Sequence, residues 1–284
     1  MILDVLGHPA YCYTGGKAFD ARLPTAVFLH GAQHDHSVWI LQTRFFAHHG
    51  FGVLAVDLPG HGRSSGAALT SVEAMADWLL ALLTAAGVDS DAAGAGVTLI
   101  GHSMGSLIAL ETAARAPQRV AALALVGTAL PMGVSDVLLD AARDAEQDAI
   151  DMVNIWSHST MAHKPSSPGP GFSVMGGNRR LMQKIARQPA IAGTKNRVFL
   201  TDFQACNTYV NGEAAAARVL CPTLLLLGAK DQMTPPKATA SLRAAIPQHR
   251  LVQLADCGHA LMAEQSDAVL DALFGFATLA VKAA

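Results

Sequence analysis

The chain has 284 residues, 51% of them hydrophobic and 15% charged, with a formal net charge of −2. That is enough apolar material for a full core, built as one large domain or a domain with an insertion, and the lack of any block of basic residues argues against a nucleic-acid partner. The N-terminal MILD has no basic segment followed by a long apolar run, and the longest apolar stretch, from Val120, meets Pro131 short of the ~18 residues of a membrane helix, so neither a secretory signal nor a span is expected.

In chain order, ILDVLG and AYCYTG pattern as a leading hairpin. Six near-continuous apolar runs follow, at 25–30, 52–57, 96–101, 120–127, 222–228 and 250–255, and such runs predict strands covered on both faces, as in a parallel sheet. Helical patterns lie between them at 37–49, 71–86, 103–116, 235–246 and 266–282, with Ser71 and Ser266 as N-caps and Pro235 or Pro236 in a first turn. This alternation predicts an α/β fold, an open doubly wound sheet. It breaks at 130–215, where DVLLDAARDAEQDAIDMVNIWSH, NRRLMQKIAR and KNRVFLTDFQACNTY read as helices without strands, interrupted by the loop PSSPGPG (165–171) with MGG (175–177) soon after. The expected organisation is a core domain of 1–129 and 216–284 with a helical cap inserted at 130–215. Five methionines in the cap (Met132, Met152, Met161, Met175, Met182) either fill packing gaps or form an adaptable apolar pocket lining.

Residues 99–110, LIGHSMGSLIAL, place Ser103 between Gly101 and Gly105. G-x-S-x-G alone arises by chance in about one chain in ten of this length. Here a buried strand ends and a helix begins at the motif, so the turn must be tight, and glycines at both flanks remove the β-carbons that would collide. The serine is then displayed at the C-terminal edge of the sheet. A hydroxyl needs a base, and His259 in LADCGHALMAEQ follows the last strand across a short turn to the same edge. The base needs a carboxylate to fix its tautomer. Asp231 in LLLLGAKDQMTPP follows the preceding strand, while GTALPM after the 120–127 strand offers no acid, and Asp57 ends a different strand. The order Ser, Asp, His completes the set. Backbone N–H groups of Ala32, in the turn HGAQHD, and of Met104 are the expected oxyanion donors.

His30-Gly31, DLPGHGRS (57–64), GHSMGS (101–106), GAKDQMTP (228–235) and CGHA (257–260) together resemble the α/β-hydrolase fold superfamily, in particular its esterase-like and peroxidase-like members with a helical cap. The resemblance spans the chain outside the cap. It implies an eight-stranded, mostly parallel sheet and a triad of Ser103, His259 and Asp231. Haloalkane dehalogenases and epoxide hydrolases of this fold carry aspartate at the elbow, where this chain has Ser103. Carbon–carbon hydrolases of ring-cleavage dienol ketones also use serine, but usually have an aromatic residue just past the histidine, where this chain has Ala260 and Leu261.

His30, His34 and His36 do not make the H-x-H-x-D-H metal motif, because Val38 stands where an aspartate is needed, so no metal and no cofactor are expected. The four cysteines, Cys12, Cys206, Cys221 and Cys257, lie far apart and fit reduced, mostly buried thiols of a cytoplasmic protein. Residues expected around the substrate are His30, Gly31, Trp39, Met132, Trp156, His158, Met161 and Leu261, with His163 a further option; for the tryptophans and for His158 and His163, packing is an equal alternative. The expected activity is hydrolysis of a small apolar carboxylic ester, lactone or thioester, by a monomer or homodimer. Carbon–carbon bond hydrolysis and a non-catalytic receptor of the same fold are the competing readings.

Overall fold

The computed structural model describes residues 1–88, 96–164, 166–188 and 197–283. Its centre is an eight-stranded sheet in the order β1 (Ile2–Val5), β2 (His8–Tyr13), β4 (Gly52–Val56), β3 (Thr25–Leu29), β5 (Val97–His102), β6 (Val120–Val126), β7 (Thr223–Gly228), β8 (His249–Leu254). β1–β2 and β2–β4 pair antiparallel, and every later pair is parallel.

The central strands are buried along nearly their whole length, and are mostly apolar, because both of their faces are covered. Along β3, Val27 and Leu29 face one core while Ala26 and Phe28 face the other; along β6, Leu123 and Leu125 oppose Ala122, Ala124 and Val126. The first core is completed by α2 (Val72–Ala85) and α3 (Met104–Arg115). The second is closed by α1 (Ile40–His48), after a 3₁₀ turn at His36–Trp39, and by α11 (Ser266–Ala283). Ser71 caps α2, accepting the Ala74 N–H at 3.1 Å, whereas Ser266 is itself the first residue of α11, just behind the short α10 (Leu261–Glu264). The proline pair starts a 3₁₀ turn, Pro236–Thr239, before α9 (Ala240–Ala245).

β8 departs from the expectation of a strand covered on both faces: most of its residues are exposed or half-buried, Leu251 among them. It is the edge strand, with a single neighbour, and its apolar run supports only one flank.

Among the described residues between β6 and β7 the elements are helices: α4 (Asp136–Asp144), α5 (Glu146–Trp156), α6 (Val174–Ala186), α7 (Val198–Thr208) and α8 (Gly212–Ala216). The long run expected from 136 breaks at Ala145, whose extended φ of −146° ends α4 and starts α5. MGG lies inside α6, not in the loop before it, since Ser173 caps that helix through the Gly176 N–H and its apolar side buries Met182 and Ile185. Residue 165 of the expected loop and 195–196 of the expected third helix lie outside the described residues. Among the described residues, no helix is long and apolar enough to cross a membrane.

The tightest point is the reversal from β5 into α3. A Cβ at Gly105 would lie 2.5 Å from the Leu29 carbonyl oxygen, and one at Gly101 would lie 2.1 Å from the Gly105 carbonyl oxygen. Gly105→Ala should therefore lower stability by about 2–3 kcal/mol, the overpacking range, read from the urea unfolding midpoint; a loss under about 0.5 kcal/mol would mean that α3 can move away from β3.

Candidate active site

Strands β3, β5, β7 and β8 run parallel, so the loops that follow them emerge at one edge of the sheet. These loops carry Ala32, Ser103, Asp231 and His259. Ser103 sits between β5 and α3 with φ 53° and ψ −120°, a left-handed conformation that a residue with a β-carbon adopts only under constraint. Its N–H donates to Val126 O at 2.9 Å, which docks the elbow against the end of β6.

Asp231 and His259 are both nearly buried, and His259 Nδ1 donates to Asp231 Oδ2 at 2.8 Å. The carboxylate is held from every side: Oδ1 accepts the N–H groups of Met233 and Thr234, each at 2.8 Å, and Oδ2 accepts the Thr234 hydroxyl at 2.7 Å. Burial works against the charged carboxylate, but the His259 ring and the Thr234 donors outweigh it, and the pKa of Asp231 lies below the ordinary 3.8. With Nδ1 donating, Nε2 of His259 is left with its lone pair. Ser103 Oγ and His259 Nε2 have no hydrogen-bond partner among the described residues, and no hydrogen bond joins them. His102, the residue before Ser103, donates its Nε2–H to His259 O at 2.9 Å, with ring centroids 4.7 Å apart. Burial, reinforced by His259, pushes the pKa of His102 well below 6.5, so this ring is a neutral spacer.

The His259 loop is tied to the segment after α5. Glu264 accepts the N–H groups of Gly258 and Ser159, both at 3.0 Å, and the Ala260 N–H donates to Ser157 O at 2.9 Å. The Ala32 loop is tied to α6. Gln33 Nε2 donates to Met182 O at 3.1 Å, His34 Nε2 is hydrogen-bonded with the Asn178 amide at 2.8 Å, and Lys184 Nζ donates to Asp35 Oδ2 at 3.0 Å. The backbone N–H groups of Ala32 and Met104 have no hydrogen-bond partner among the described residues, which leaves both free for a ligand. Asp57 anchors the neighbouring turn, accepting the backbone N–H groups of His36 and Arg63 at 2.8 Å each. The atoms of Asp35, His36 and Asp57 that could ligate a cation lie within 4.8 Å of one another, yet they are engaged in these loop contacts.

Two cavities open at this edge, one at Ser103 and one at His259. One, of 190 Å³, is lined by Ser103 and Ala32 with Leu138, Trp156, Phe203 and Met132. The other, of 310 Å³, is lined by His259 and His102 with Ile40, Leu41, Val174 and Leu181. No lysine, arginine, aspartate or glutamate lines either cavity among the described residues. Met132 and Trp156 line the smaller cavity, and a Cβ on Gly31 would lie 3.2 Å from Ser103 Cβ.

Other expected lining residues lie elsewhere. Trp39 is fully buried against Phe28 and donates its indole N–H to Leu29 O, and Leu261 is core under α11. His30 is buried below the loop, with Nδ1–H on Gly31 O and Nε2 accepting the Leu58 N–H. His158 is buried and donates to Asn154 O, while Met161 is 57% exposed, and neither lines the two cavities. Helical patterning shows which side of the insertion is apolar, not which residue sits over the sheet edge. Thr234, His102 and Glu264 were not singled out from sequence. Only Thr234 carried a signal, a hydroxyl three residues after Asp231, the spacing of a local side-chain turn.

A family model described as alpha/beta hydrolase fold matches residues 24–265, and the chain belongs to that family. The pimeloyl-[acyl-carrier protein] methyl ester esterase of Aromatoleum aromaticum is 30% identical over 251 residues, covering 84% of this chain and 91% of that protein. The dihydrolipoyllysine-residue acetyltransferase component of the acetoin cleaving system of Cupriavidus necator is 34% identical over 129 residues, so that the match spans 45% of this chain and 30% of that protein. Among solved structures, the enol-lactonase from Burkholderia xenovorans superposes with a TM-score of 0.81 at 23% identity, covering 98% of this chain and 100% of that one. The family and the esterase relative support a hydrolase.

Thr234→Val keeps the shape of the side chain but removes one donor from Asp231, whose pKa should rise. A carboxylate with a depressed folded pKa contributes stability that is present above its unfolded value and lost as pH falls through the folded one. The acid-unfolding midpoint of Thr234→Val should therefore move to higher pH, with about 1 kcal/mol lost near neutrality; an unchanged Asp231 titration by carboxyl-carbon NMR would contradict this.

Proposed function

We propose that this chain is a serine hydrolase that cleaves an uncharged carboxylic ester, or a lactone or thioester, through an acyl-enzyme on Ser103. His259 Nε2 takes the Ser103 proton as Oγ attacks the carbonyl carbon. Asp231 keeps the ring in the tautomer with Nδ1 protonated and stabilises the imidazolium that forms. The Ala32 and Met104 N–H groups receive the oxyanion, a contribution of about 3–4 kcal/mol per donor to the barrier. His259 then hands its proton to the leaving oxygen, and a water deprotonated by the same nitrogen releases the acid. The observation that carries this reading is the buried Asp231–His259 hydrogen bond at the same sheet edge as a serine in a left-handed turn whose hydroxyl has no partner among the described residues. The esterase and lactonase named among the relatives are consistent with it.

The proton path assigns the two cavities. A leaving oxygen must lie beside His259, so the 310 Å³ cavity takes the alcohol portion and the 190 Å³ cavity the acyl portion. Walls without charged side chains suit uncharged groups at both ends. The segment 130–215 acts as a cap that closes both cavities, since Trp156 and Phe203 wall one, and Val174 and Leu181 the other.

Ser103→Ala should lower kcat on a short p-nitrophenyl ester by about 10⁶-fold. Rapid cleavage of a vinylogous diketone with negligible ester turnover would favour carbon–carbon hydrolysis, and tight ligand binding that survives Ser103→Ala, without turnover in the parent, would favour a receptor. Leu181→Trp should raise KM for naphthyl acetate by about tenfold, about 1.4 kcal/mol of binding, and leave methyl butyrate unaffected; the opposite selectivity would reverse the cavity assignment.

A further inference from the structure

Asp202 is a fully buried carboxylate on α7, within the helical insertion, and it is used by two loops of the sheet edge. Its Oδ2 accepts the Gln33 backbone N–H at 2.8 Å and His61 Nε2–H at 2.8 Å. Its Oδ1 has no partner among the described residues, a costly state for a buried oxygen that packing alone does not explain.

His61 is buried as well, and its other nitrogen, Nδ1, faces Pro59 O at 3.0 Å. Both ring nitrogens thus face oxygen acceptors, and only an imidazolium donates from both. Burial opposes that charge, but Asp202, by charge and hydrogen bond, then Pro59 O and Asp57, outweigh it, and the pKa of His61 stands above the ordinary 6.5. The groups facing His61 are Asp202 from α7, Asp57 from the end of β4, and His30 from the end of β3 with ring centroids 4.8 Å apart. His30 stays neutral: burial first, and His61 second, push its pKa down to about 4.

Gln33 follows Ala32 and has φ 58°, a left-handed conformation that a glutamine holds only when its surroundings fix it. The hydrogen bond to Asp202 is the fixing contact on its N–H. Together with His34 Nδ1, which donates to Ala32 O at 2.6 Å, it holds the peptide plane between Ala32 and Gln33, and the Ala32 N–H lies on the preceding peptide, one Cα away.

We propose that Asp202 and a protonated His61 act as a positioning pair that aims the Ala32 N–H at the reacting carbonyl, so that the oxyanion hole is complete only while α7 is docked and His61 carries its proton. The role rests on the hydrolase reading given above. Neither residue touches substrate; each acts through the Gln33 peptide. The sign of the pH dependence follows from the raised pKa: the pair is intact below it and is lost as pH rises through it, giving kcat an alkaline limb.

The test compares the parent with Asp202→Ala, Asp202→Asn and His61→Gln, using a p-nitrophenyl ester across about pH 5–10. Rates are divided by the fraction of protein titrated to completion with an organophosphorus probe, which removes any loss due to unfolding. Asp202→Ala should lose about 10²-fold in kcat with little change in KM, the scale of a misplaced donor. Asp202→Asn keeps the acceptor but not the charge, so its kcat should approach that of the parent at the acid end and fall at lower pH than in the parent. His61→Gln should show no such limb. The His61 ring, followed by NMR, should titrate above 6.5 in the parent and lower in Asp202→Asn. Equal kcat per titrated site in Asp202→Ala and the parent, or a His61 titration at or below 6.5 in the parent, would overturn the proposal while leaving the hydrolase reading in place. A parent that neither turns over esters nor takes the probe would overturn both.

Discussion

The reversal at residues 101–105 is the constraint on which the rest of the molecule depends. A strand buried on both faces must turn into a buried helix within a few residues, and there is room only because positions 101 and 105 carry no β-carbon. The turn leaves Ser103 in a left-handed conformation whose cost, about 1–3 kcal/mol, is offset by the packing of β5 and α3, nearly every residue of which is buried. Because β3, β7 and β8 run parallel to β5, their following loops bring main-chain donors, a carboxylate and an imidazole to the same edge. The geometry of the site is thus a consequence of strand direction, and its precision comes from the small contacts added at each loop.

Those contacts come largely from the helices between β6 and β7. Glu264 and Ser157 join the His259 loop to the segment after α5, while Met182, Asn178, Lys184 and Asp202 join the Ala32 loop to α6 and α7. A helical insertion that only covered a cavity would need apolar contact alone. Here it also supplies hydrogen bonds to the backbone of both loops, so the walls of the two cavities and the placement of the Ala32 and His259 loops share the same surface. Exchanging the insertion between relatives of this fold would therefore change the loop geometry as well as the pocket walls.

The sheet was legible in the sequence because burial on both faces writes apolar runs whose ends fall within a residue or two of the strands. It misled only at β8, where an apolar run marks an edge strand. That Ser103, Asp231 and His259 share one edge was legible because each follows a parallel strand across a short loop. The positions of Met161 and His158 were not, because the docking of the segment after α5 is set by tertiary contacts; nor were those of Trp39 and Leu261, which lie in the core elements, where an apolar residue near the sheet edge has the same local pattern whether it faces a cavity or the packed interior. Asp202 is the clearest case: a carboxylate 169 positions from Gln33 has no local pattern that announces their hydrogen bond. His61 was visible only as one residue of a glycine-rich turn, and its partner is likewise set by the docking of α7.

The most direct measurement of the central claim is a crystal structure of the protein after reaction with diethyl p-nitrophenyl phosphate. The account requires phosphorus bonded to Ser103 Oγ, with the phosphoryl oxygen within hydrogen-bond distance of the Ala32 and Met104 nitrogens and His259 Nε2 facing the site vacated by nitrophenol. Phosphorus on another residue, or a Ser103 adduct whose phosphoryl oxygen points away from both nitrogens, would contradict it.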